Sequence, residues 1–525
     1  MSMATHPLRP GPPPPARAEA PPADPRRWWI LAVIGLGQLM VVLDATIVNI
    51  ALPSAQAGLG FSDAQRPWVV TAYAMAFGSL LLLGGRLADL FGHRRAFLTG
   101  LCGFALASAL GGAAGGFGVL VTARALQGVC AALLAPAALA LLTTTFTEPT
   151  ERGRAFGVFG ALAGSGGAVG LLLGGVLTEH LSWRSTLYVN LPLAAAGVAG
   201  GLLLLRHRPP GPRPALDLRG AALASCGVFC LVEGLGRAGS GGWAAPRTLL
   251  LMAAGVLLLG AFAAWQRRAA HPLLPPRVVL DRVRGAALLS VFVTGVGMFG
   301  VFLFLTYYLQ EIRGYGPART GLAFMPMSVS ILLSALGSNR GVFTRLGARP
   351  RIPVGMLLAA AGLAGMTHLQ VDSPYLTRIM PPLVVMGLGM GLIMSASMNL
   401  GTAGIEPRDA GVGSAAVNTM RQVGGSVGTA LMSTLAAGSA AAYLRGRPAT
   451  GELAAEAAVA GYHTGYAVAA GIFVLGAAAV WWLLPAGLVM RPKGHGPGGP
   501  GRGPAGAGVA SGPGQGRSAS GAAGD

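Results

Sequence analysis

The sequence predicts an all-α integral membrane protein with fourteen transmembrane helices, and three observations lead to that fold class. Of the 525 residues, 53% are hydrophobic, which is enough for about fourteen spans of about 20 residues each. Only 11% are charged, whereas soluble domains carry about 25%. Long apolar runs recur from Trp28 to Pro485. A water-soluble enzyme and a chain that is disordered throughout are therefore excluded.

The first part of the predicted fold is an N-terminal bundle of six helices over residues 28–205. Residues 1–27 are polar and rich in proline, which predicts a disordered cytoplasmic tail. The apolar run that follows is too long for a signal-peptide core and lacks a small-residue cleavage site, so it predicts the first span. The six apolar runs lie near residues 29–52, 67–88, 96–114, 119–146, 155–178 and 186–205.

An extra helix pair and a second six-helix bundle complete the prediction. Residues 206–284 contain two basic linkers around apolar runs near 220–236 and 247–266. Residues 285–484 are predicted to form the C-terminal six-helix bundle, and 485–525 a disordered cytoplasmic tail rich in Gly, Pro and Ser. The six runs of this bundle lie near residues 285–309, 320–343, 352–370, 379–404, 412–437 and 464–484.

The distribution of basic residues predicts that both termini are cytoplasmic. The formal net charge is +20, which in a soluble protein would suggest nucleic acid as a partner. Membrane proteins instead concentrate Arg and Lys in their cytoplasmic segments. With fourteen spans and an inner N-terminus, 26 of the 38 basic residues fall in inner segments and 9 in outer loops. The charge therefore indicates orientation in a membrane, and no nucleic-acid partner is expected.

An internal repeat places the extra pair between the two bundles. The loop after the second run contains Gly85, Asp89, Gly92 and Arg94, and a degraded copy of it spans residues 340–349. The copy follows the tenth run, whereas a plain duplication of six helices would place it after the eighth. The displacement predicts six, two and six helices, and internal repeats are typical of secondary transporters.

A single acidic residue lies inside the first predicted span. Asp44 stands in an otherwise apolar stretch, where insertion scales assign a carboxylate a cost of about 2.5–3.5 kcal/mol. Because burial favours the neutral form of a carboxyl group, Asp44 is expected to be able to hold a proton. The functional hypothesis is a proton-coupling site. The alternative is a structural hydrogen bond to a neighbouring helix, or a side chain that reaches the membrane interface.

The fourth predicted helix carries a basic residue near its start. Arg124 and Gln127 are three positions apart and share one helix face. An arginine at this depth needs a partner, and Asp44 is the candidate. The alternative is an arginine held at the membrane interface. In the fifth helix Gly166, Gly170 and Gly174 recur every four residues and Gly175 follows, which predicts a close helix-packing face.

Polar residues in the thirteenth helix are candidates for lining a substrate cavity. Asn418 and Arg421 share a face and Gln422 flanks it; a polar stripe facing lipid would be costly. Asn49 and Gln127 are further candidates for the cavity. Polar contacts between packed helices would explain the stripe equally well.

No catalytic or metal-binding signature is found in the sequence. There is no phosphate-binding loop or catalytic triad, and the four cysteines lie in apolar segments without metal-ligand spacing. We therefore expect no enzyme activity, no bound metal and no cofactor. Any uphill transport would draw on an ion gradient.

Taken together, these motifs resemble the major facilitator superfamily, and more closely its fourteen-helix drug:proton antiporter branch. Leu43–Pro53 is similar to the branch's first-helix motif, Gly85–Arg95 to its cytoplasmic gate motif, and Arg124–Gly128 to its fourth-helix motif for proton transfer. Gly166–Gly175 is compared with its antiporter packing motif, and Asn418–Gly428 with its penultimate-helix pattern.

The resemblance implies proton-coupled efflux of amphipathic drugs or natural products by alternating access, with Asp44 and Arg124 in proton coupling. The implied setting is a multi-pass protein of the cytoplasmic membrane, acting as a monomer. Its expected partners are a small amphipathic molecule, protons and the lipid bilayer. Proton-coupled uptake of a small metabolite by the same fold is the alternative.

Overall fold

The computed structural model describes most of the chain as helices joined by short loops. The described residues are 25–63, 65–146, 148–205, 217–270, 272–273, 281–337, 349–402, 410–447 and 450–485. Most of both predicted tails, much of both basic linkers and nearly all of the repeat copy at 340–349 lie outside these residues. In the part that is described, no β-strand is present.

Seven helices build the N-terminal part. Gly60 ends the first of them in the left-handed conformation, with φ of 67°, and Gly92 separates the second from the third with φ of 89°. Both angles are accessible to glycine without steric cost. The helices are α1 (Arg27–Leu59), α2 (Arg66–Phe91), α3 (His93–Gly112), α4 (Phe117–Thr145), α5 (Pro149–His180), α6 (Ser185–Tyr188) and α7 (Asn190–Leu204).

Among the described residues, nine further α-helices and two short π-helices, Tyr308–Ile312 and Tyr375–Ile379, follow. Their starts carry typical N-terminal signals: the carboxylates of Asp217 and Asp281 accept from backbone N–H groups of the first turns that follow them, and Pro246 and Pro317 occupy first-turn positions. The helices are α8 (Leu218–Gly241), α9 (Pro246–Gln266), α10 (Arg282–Tyr307), α11 (Pro317–Ala323), α12 (Met325–Gly337), α13 (Arg351–Met366), α14 (Met380–Thr402), α15 (Ala410–Leu444) and α16 (Gly451–Leu483).

Among the described residues, eleven helical spans are long and apolar enough to cross a membrane, and twelve if the bent α2 counts as one. The bend in α2 is 57° and lies between Leu81 and Leu83. Two other predicted runs correspond to shorter apolar helices, Val169–His180 within α5 and Arg351–Met366. Large apolar side chains such as Leu250 and Leu257 of α9 are exposed, as a lipid environment requires.

The helices pack in two groups with a pair between them. In the first group α4 packs on α2 and α3, and α1 on α5 and α7; in the second α10 packs on α15 and α16, and α14 on α12 and α13. Helices α8 and α9 pack on each other, and α8 also contacts α2 and α15. The two groups meet mainly where α2 packs on α15 and α5 on α11. The side at which α1 begins is called proximal below, and the side at which it ends distal.

Candidate functional site: a buried aspartate–arginine pair

The carboxylate of Asp44 lies fully buried on α1 and accepts three hydrogen bonds from other helices. Arg124 Nη1 of α4 donates to Oδ2 at 2.5 Å. Gln127 Nε2, one turn along α4, donates to Oδ1 at 2.9 Å, and Asn190 Nδ2 at the start of α7 donates to the same oxygen at 2.7 Å. The contact proposed between Asp44 and Arg124 is therefore present in the structure.

Arg124 is held as firmly as its partner. Its Nε donates to the backbone carbonyl of Val69 on α2 at 3.1 Å, and its Nη1 also donates to Gln127 Oε1 at 2.8 Å. Its guanidinium carbon lies 4.5 Å from the centroid of the Tyr73 ring, within cation–π range. Arg124 is 1% exposed and Asp44 is 0% exposed, so neither charge is neutralised by solvent. Each depends on the other and on these hydrogen bonds.

Asn190 and Ser108 belong to this site although the sequence analysis did not select them. Ser108 Oγ of α3 accepts from Gln127 Nε2 at 2.7 Å and from Asn190 Nδ2 at 3.3 Å. Both side chains are fully buried. The available signal was a polar residue inside an apolar helix, which is weaker than a charge because an uncharged side chain is often satisfied within its own helix.

The glycines of α5 allow α1 to approach closely beside Asp44. A Cβ atom built on Gly170 would lie 2.9 Å from the Leu43 carbonyl oxygen and would clash with Thr46 Oγ1. A Cβ atom on Gly174 would lie 2.8 Å from the Ile47 carbonyl oxygen. Gly166 faces Val42 of α1 in the same way, whereas Gly175 faces the Pro317 carbonyl at the start of α11. These four glycines, called the glycine seam below, therefore pack on α1 of the first group and on α11 of the second.

The residues of the gate motif lie at the proximal turn between α2 and α3. Gly85 is in van der Waals contact range of Pro136 of α4, and Gly92 forms the turn itself. The Asp89 carboxylate lies 3.9 Å from His93 Nε2, an ion pair only when the imidazole is protonated. Arg94 Nη2 donates to the Leu202 carbonyl of α7 at 3.2 Å. These contacts hold the turn against the first group of helices.

The cavity candidates are distributed over both groups. Asn49 is buried on α1, where its Nδ2 donates to the carbonyl of Ala45 in its own helix at 3.1 Å. Gln127 belongs to the Asp44 site described above. Asn418 and Arg421 are half-buried on α15, and Gln422 is buried with its Cβ atom facing Gly78 of α2. The three polar residues of α15 thus lie in the helix that contacts the first group most extensively.

A set of polar contacts closes the distal side between the two groups. The Arg66 guanidinium lies 3.3 Å from the centroid of the Tyr307 ring, and its Nε donates to Gln56 Oε1 at 2.8 Å. The Tyr307 hydroxyl donates to the same oxygen at 2.9 Å. On the same side, where the end of α5 meets the start of α11, the backbone N–H of Ala318 donates to Glu179 Oε2 at 2.8 Å. We call these five residues the distal latch.

The site combines one acid, one base and amides without any metal-binding geometry. Over the described ranges, no group of three or more His, Cys, Asp or Glu side chains could hold a metal ion. The four cysteines are free thiols. The Asp44 carboxylate takes its partners from two other helices, α4 and α7, so a change in its hydrogen bonds would alter the contacts between those helices and α1. The arrangement is therefore suited to linking a proton to a conformational change.

Comparisons with known proteins bear on the family and the fold. A family model described as "Major Facilitator Superfamily" matches residues 34–429. The puromycin resistance protein of Streptomyces alboniger is 50% identical over 88% of this chain and 92% of its own length. The cephamycin export protein of Amycolatopsis lactamdurans is 40% identical over 87% and 92%. A crystal structure of a bacterial homologue of the human lysosomal transporter Spinster has a TM-score of 0.61, at 16% identity, over 88% of this chain and 98% of that one.

Proposed function

The chain belongs to the major facilitator superfamily, and from that premise we propose that it exports amphipathic natural products or drugs in exchange for protons. Proteins of this family and fold are membrane transporters rather than enzymes. Relatives that cover most of this chain are named for antibiotic resistance or export, which supports efflux. Proton exchange is supported by one observation above all: the buried Asp44 carboxylate paired with Arg124.

The proposed topology has fourteen spans with both termini in the cytoplasm of a bacterial cell. Support comes from the described residues, in which eleven of the predicted runs, or twelve with the bent α2, contain helices long enough to span a membrane and the other two contain shorter apolar helices. The excess of basic residues in the segments that would be inside supports the orientation. The proximal side would then face the cytoplasm and the distal side the exterior.

In the proposed cycle Asp44 releases its proton to the cytoplasm and substrate binds from the proximal side. The ionised carboxylate is held by Arg124, Gln127 and Asn190 while substrate is carried. After the distal side opens, a proton from outside neutralises Asp44 and removes the charge that these donors hold. The transporter then returns without substrate. Protein residues alone handle the proton, so no cofactor is needed.

The proton gradient supplies enough free energy for this exchange. A membrane potential of about 100 mV gives about 2.3 kcal/mol per charge, and one pH unit adds about 1.4 kcal/mol. About 3.7 kcal/mol per proton would support a substrate gradient of a few hundredfold.

The direction of transport can be tested with inverted membrane vesicles from an overexpressing strain. Radiolabelled puromycin is a suitable first probe because the 50% identical relative is a puromycin resistance protein. We expect energised vesicles to accumulate the probe, and a protonophore to abolish accumulation. Accumulation in energised right-side-out vesicles instead would favour proton-coupled uptake.

Asp44→Asn tests the coupling site in proteoliposomes. The amide cannot exchange a proton near neutral pH, so we expect substrate-dependent proton flux to be lost while the protein stays folded. Asp372→Asn is the matched control, because it removes the same charge from an exposed loop position. Unchanged coupled flux in Asp44→Asn would remove this residue from the mechanism.

A further inference from the structure

Arg421 enters the junction between the two groups of helices from α15. The turn of α15 that carries Arg421 packs tightly on α10: a Cβ atom on Gly295 would clash with the Arg421 carbonyl and lie 2.9 Å from Gly425 N. On its other side the next residue, Gln422, faces Gly78 of α2. Gly78 lies on α2 five residues after Tyr73, the side chain that stacks with Arg124. Two arginines, one from each group, therefore belong to helices that pack on α2.

Only one of these two arginines has a partner. Arg124 has the Asp44 carboxylate, a backbone carbonyl and a glutamine oxygen. Arg421 has no hydrogen bond and no ion pair with any described residue, and its Nε is buried. The buried Nε2 of Gln422 likewise lacks an acceptor. Adjacent positions of α15 thus present unsatisfied donors, one of them cationic, at the junction.

Such an arrangement is costly unless an acceptor arrives from elsewhere. Arg421 is half-buried, and the two buried donors, Arg421 Nε and Gln422 Nε2, have lost their bonds to water without gaining an acceptor among the described residues. When Asp44 is ionised, its negative charge cancels the positive charge of Arg124. The charge of Arg421 then remains, and the net charge of these three residues is +1. A bound cation would add to this charge, whereas a bound anion would neutralise it.

We propose that Arg421 binds the anionic group of an amphipathic ligand, with Gln422 as a neighbouring donor. The inference rests on the proposed export function and narrows it, because it names the ligand class: an apolar body carrying a carboxylate, sulfonate or similar group. A planar guanidinium matches such groups with two parallel hydrogen bonds. The apolar body would lie against α15, which shares one hydrophobic cluster with α8 and another with α10. The anion could come from the exported molecule or from an anionic lipid headgroup.

Two fluorophores that share an aromatic body test this assignment. Anilinonaphthalene sulfonate carries one negative charge, and phenylnaphthylamine is its neutral counterpart. Binding of each to the purified full chain in phosphatidylcholine nanodiscs is measured by equilibrium dialysis, with empty nanodiscs subtracted. For the wild-type chain we expect the sulfonate to bind about 10- to 100-fold more tightly than the neutral compound, because a charge-assisted bond contributes about 1.5–3 kcal/mol.

Three variants separate a direct role of Arg421 from a general effect of charge. Arg421→Gln is expected to abolish the preference for the sulfonate, and Arg421→Lys to keep part of it because the charge remains. Arg447→Gln, at an exposed position beyond the end of α15, should leave the preference unchanged. Melting temperatures of all variants establish whether each is folded. If Arg421→Gln does not fold, the comparison of Arg421→Lys with the wild type decides.

Several results would overturn the assignment. These are an equal affinity of the wild type for both compounds, a preference that persists in folded Arg421→Gln, or tighter binding of the cation ethidium than of the sulfonate. Nanodiscs with one third phosphatidylglycerol distinguish the two sources of anion. If this lipid competes with the sulfonate in the wild type but not in Arg421→Gln, the site is assigned to a lipid headgroup. If it does not compete, the site is assigned to the exported molecule. These experiments measure binding at equilibrium and not transport. The preference for the sulfonate can therefore be absent while export is observed, and export can be absent while the preference is observed.

Discussion

Asp44 is surrounded by donors only. All three side chains that contact its carboxylate do so through N–H groups, from Arg124, Gln127 and Asn190. A shell of this kind offers no acceptor to a proton on either carboxylate oxygen. In the proposed exchange, protonation of Asp44 would therefore be accompanied by a rearrangement of these contacts and of the packing of α1 on α4 and α7.

Asn190→Leu tests this shell. The leucine keeps a similar volume but cannot donate to Asp44 or to Ser108. Because the Asp44 carboxylate loses one of its three donors, we expect a destabilisation of about 1.5–3 kcal/mol. Melting temperatures give this difference, and proton-coupled transport should fall in parallel.

Ser108→Ala is the matched control for that substitution. Ser108 accepts from Gln127 and Asn190 but does not contact Asp44 in the bonds described. We expect a smaller loss of stability than in Asn190→Leu and no loss of coupled transport. Equal losses of stability and transport in the two variants would mean that the bond from Asn190 to Asp44 has no separate part in coupling.

At the residue scale the sequence predicts the charged members of the site but not the whole site. Asp44 and Arg124 stand out because a charge inside an apolar run needs an explanation. Asn190 and Ser108 do not, since their contacts join residues 146 and 82 positions apart and depend on how the helices cross. The assigned roles of all four remain predictions.

At the scale of the element, the glycine seam between α1 and α5 holds Asp44 in register. We predict that Gly170→Ala costs about 1–3 kcal/mol of stability and lowers transport, because its methyl group would push against Leu43 and Thr46, which bracket Asp44. The measurement is thermal unfolding in detergent together with transport by the same preparation.

Gly167→Ala serves as the comparison within the same helix. A Cβ atom there meets only Thr46 Cγ2 at 3.9 Å, an ordinary contact distance. The extra methyl group should be tolerated and, because alanine favours the helix, even slightly stabilising. Equal losses in the two variants would mean that helix propensity or lipid contact, and not the seam, determines the effect.

Helix positions were predictable from hydropathy, but their ends and breaks were not. The last run was predicted from residue 464, whereas α16 begins at Gly451. Its first turns are Ala-rich with two glutamates and are too polar for a hydropathy criterion. The break at Val189 agrees with a helix interruption expected from Pro192, whereas the break at Phe324, which lies two residues before Pro326, was not predicted.

At the scale of the whole molecule, the distal latch holds the two groups of helices together. We predict that Arg66→Ala shifts the population toward a distally open form by about tenfold, because it removes a stacking contact and hydrogen bonds worth about 1.5 kcal/mol together. Spin labels on Leu181→Cys and Leu376→Cys, both exposed, would report the change as longer electron–electron distances. The four native cysteines must first be replaced.

Arg447→Ala provides the control for the latch. Arg447 also stacks on a tyrosine, Tyr443, but both residues belong to the same end of α15. Its removal should leave the distance distribution unchanged. A distribution that is identical in Arg66→Ala and in the unsubstituted, doubly labelled chain would show that other contacts close this side.

The family was predicted from four short motifs and is confirmed by a match over residues 34–429. The all-helical fold is likewise confirmed, while the count of fourteen spans and the division into bundles stay predictions. The latch could not be foreseen, because it joins residues such as Gln56 and Tyr307 that are 251 positions apart and carry no recognisable motif.

The Asp44 site is built from helices α1, α2, α3, α4 and α7, all before residue 205. The unpaired Arg421 stands on the opposite group. Energy conversion and cargo recognition would then reside on separate parts of one polypeptide. Cargo preference could therefore change without any change to Asp44 and its partners. A chimaera joining the first seven helices of this chain to the remainder of a relative should inherit the relative's cargo and retain this chain's ion coupling.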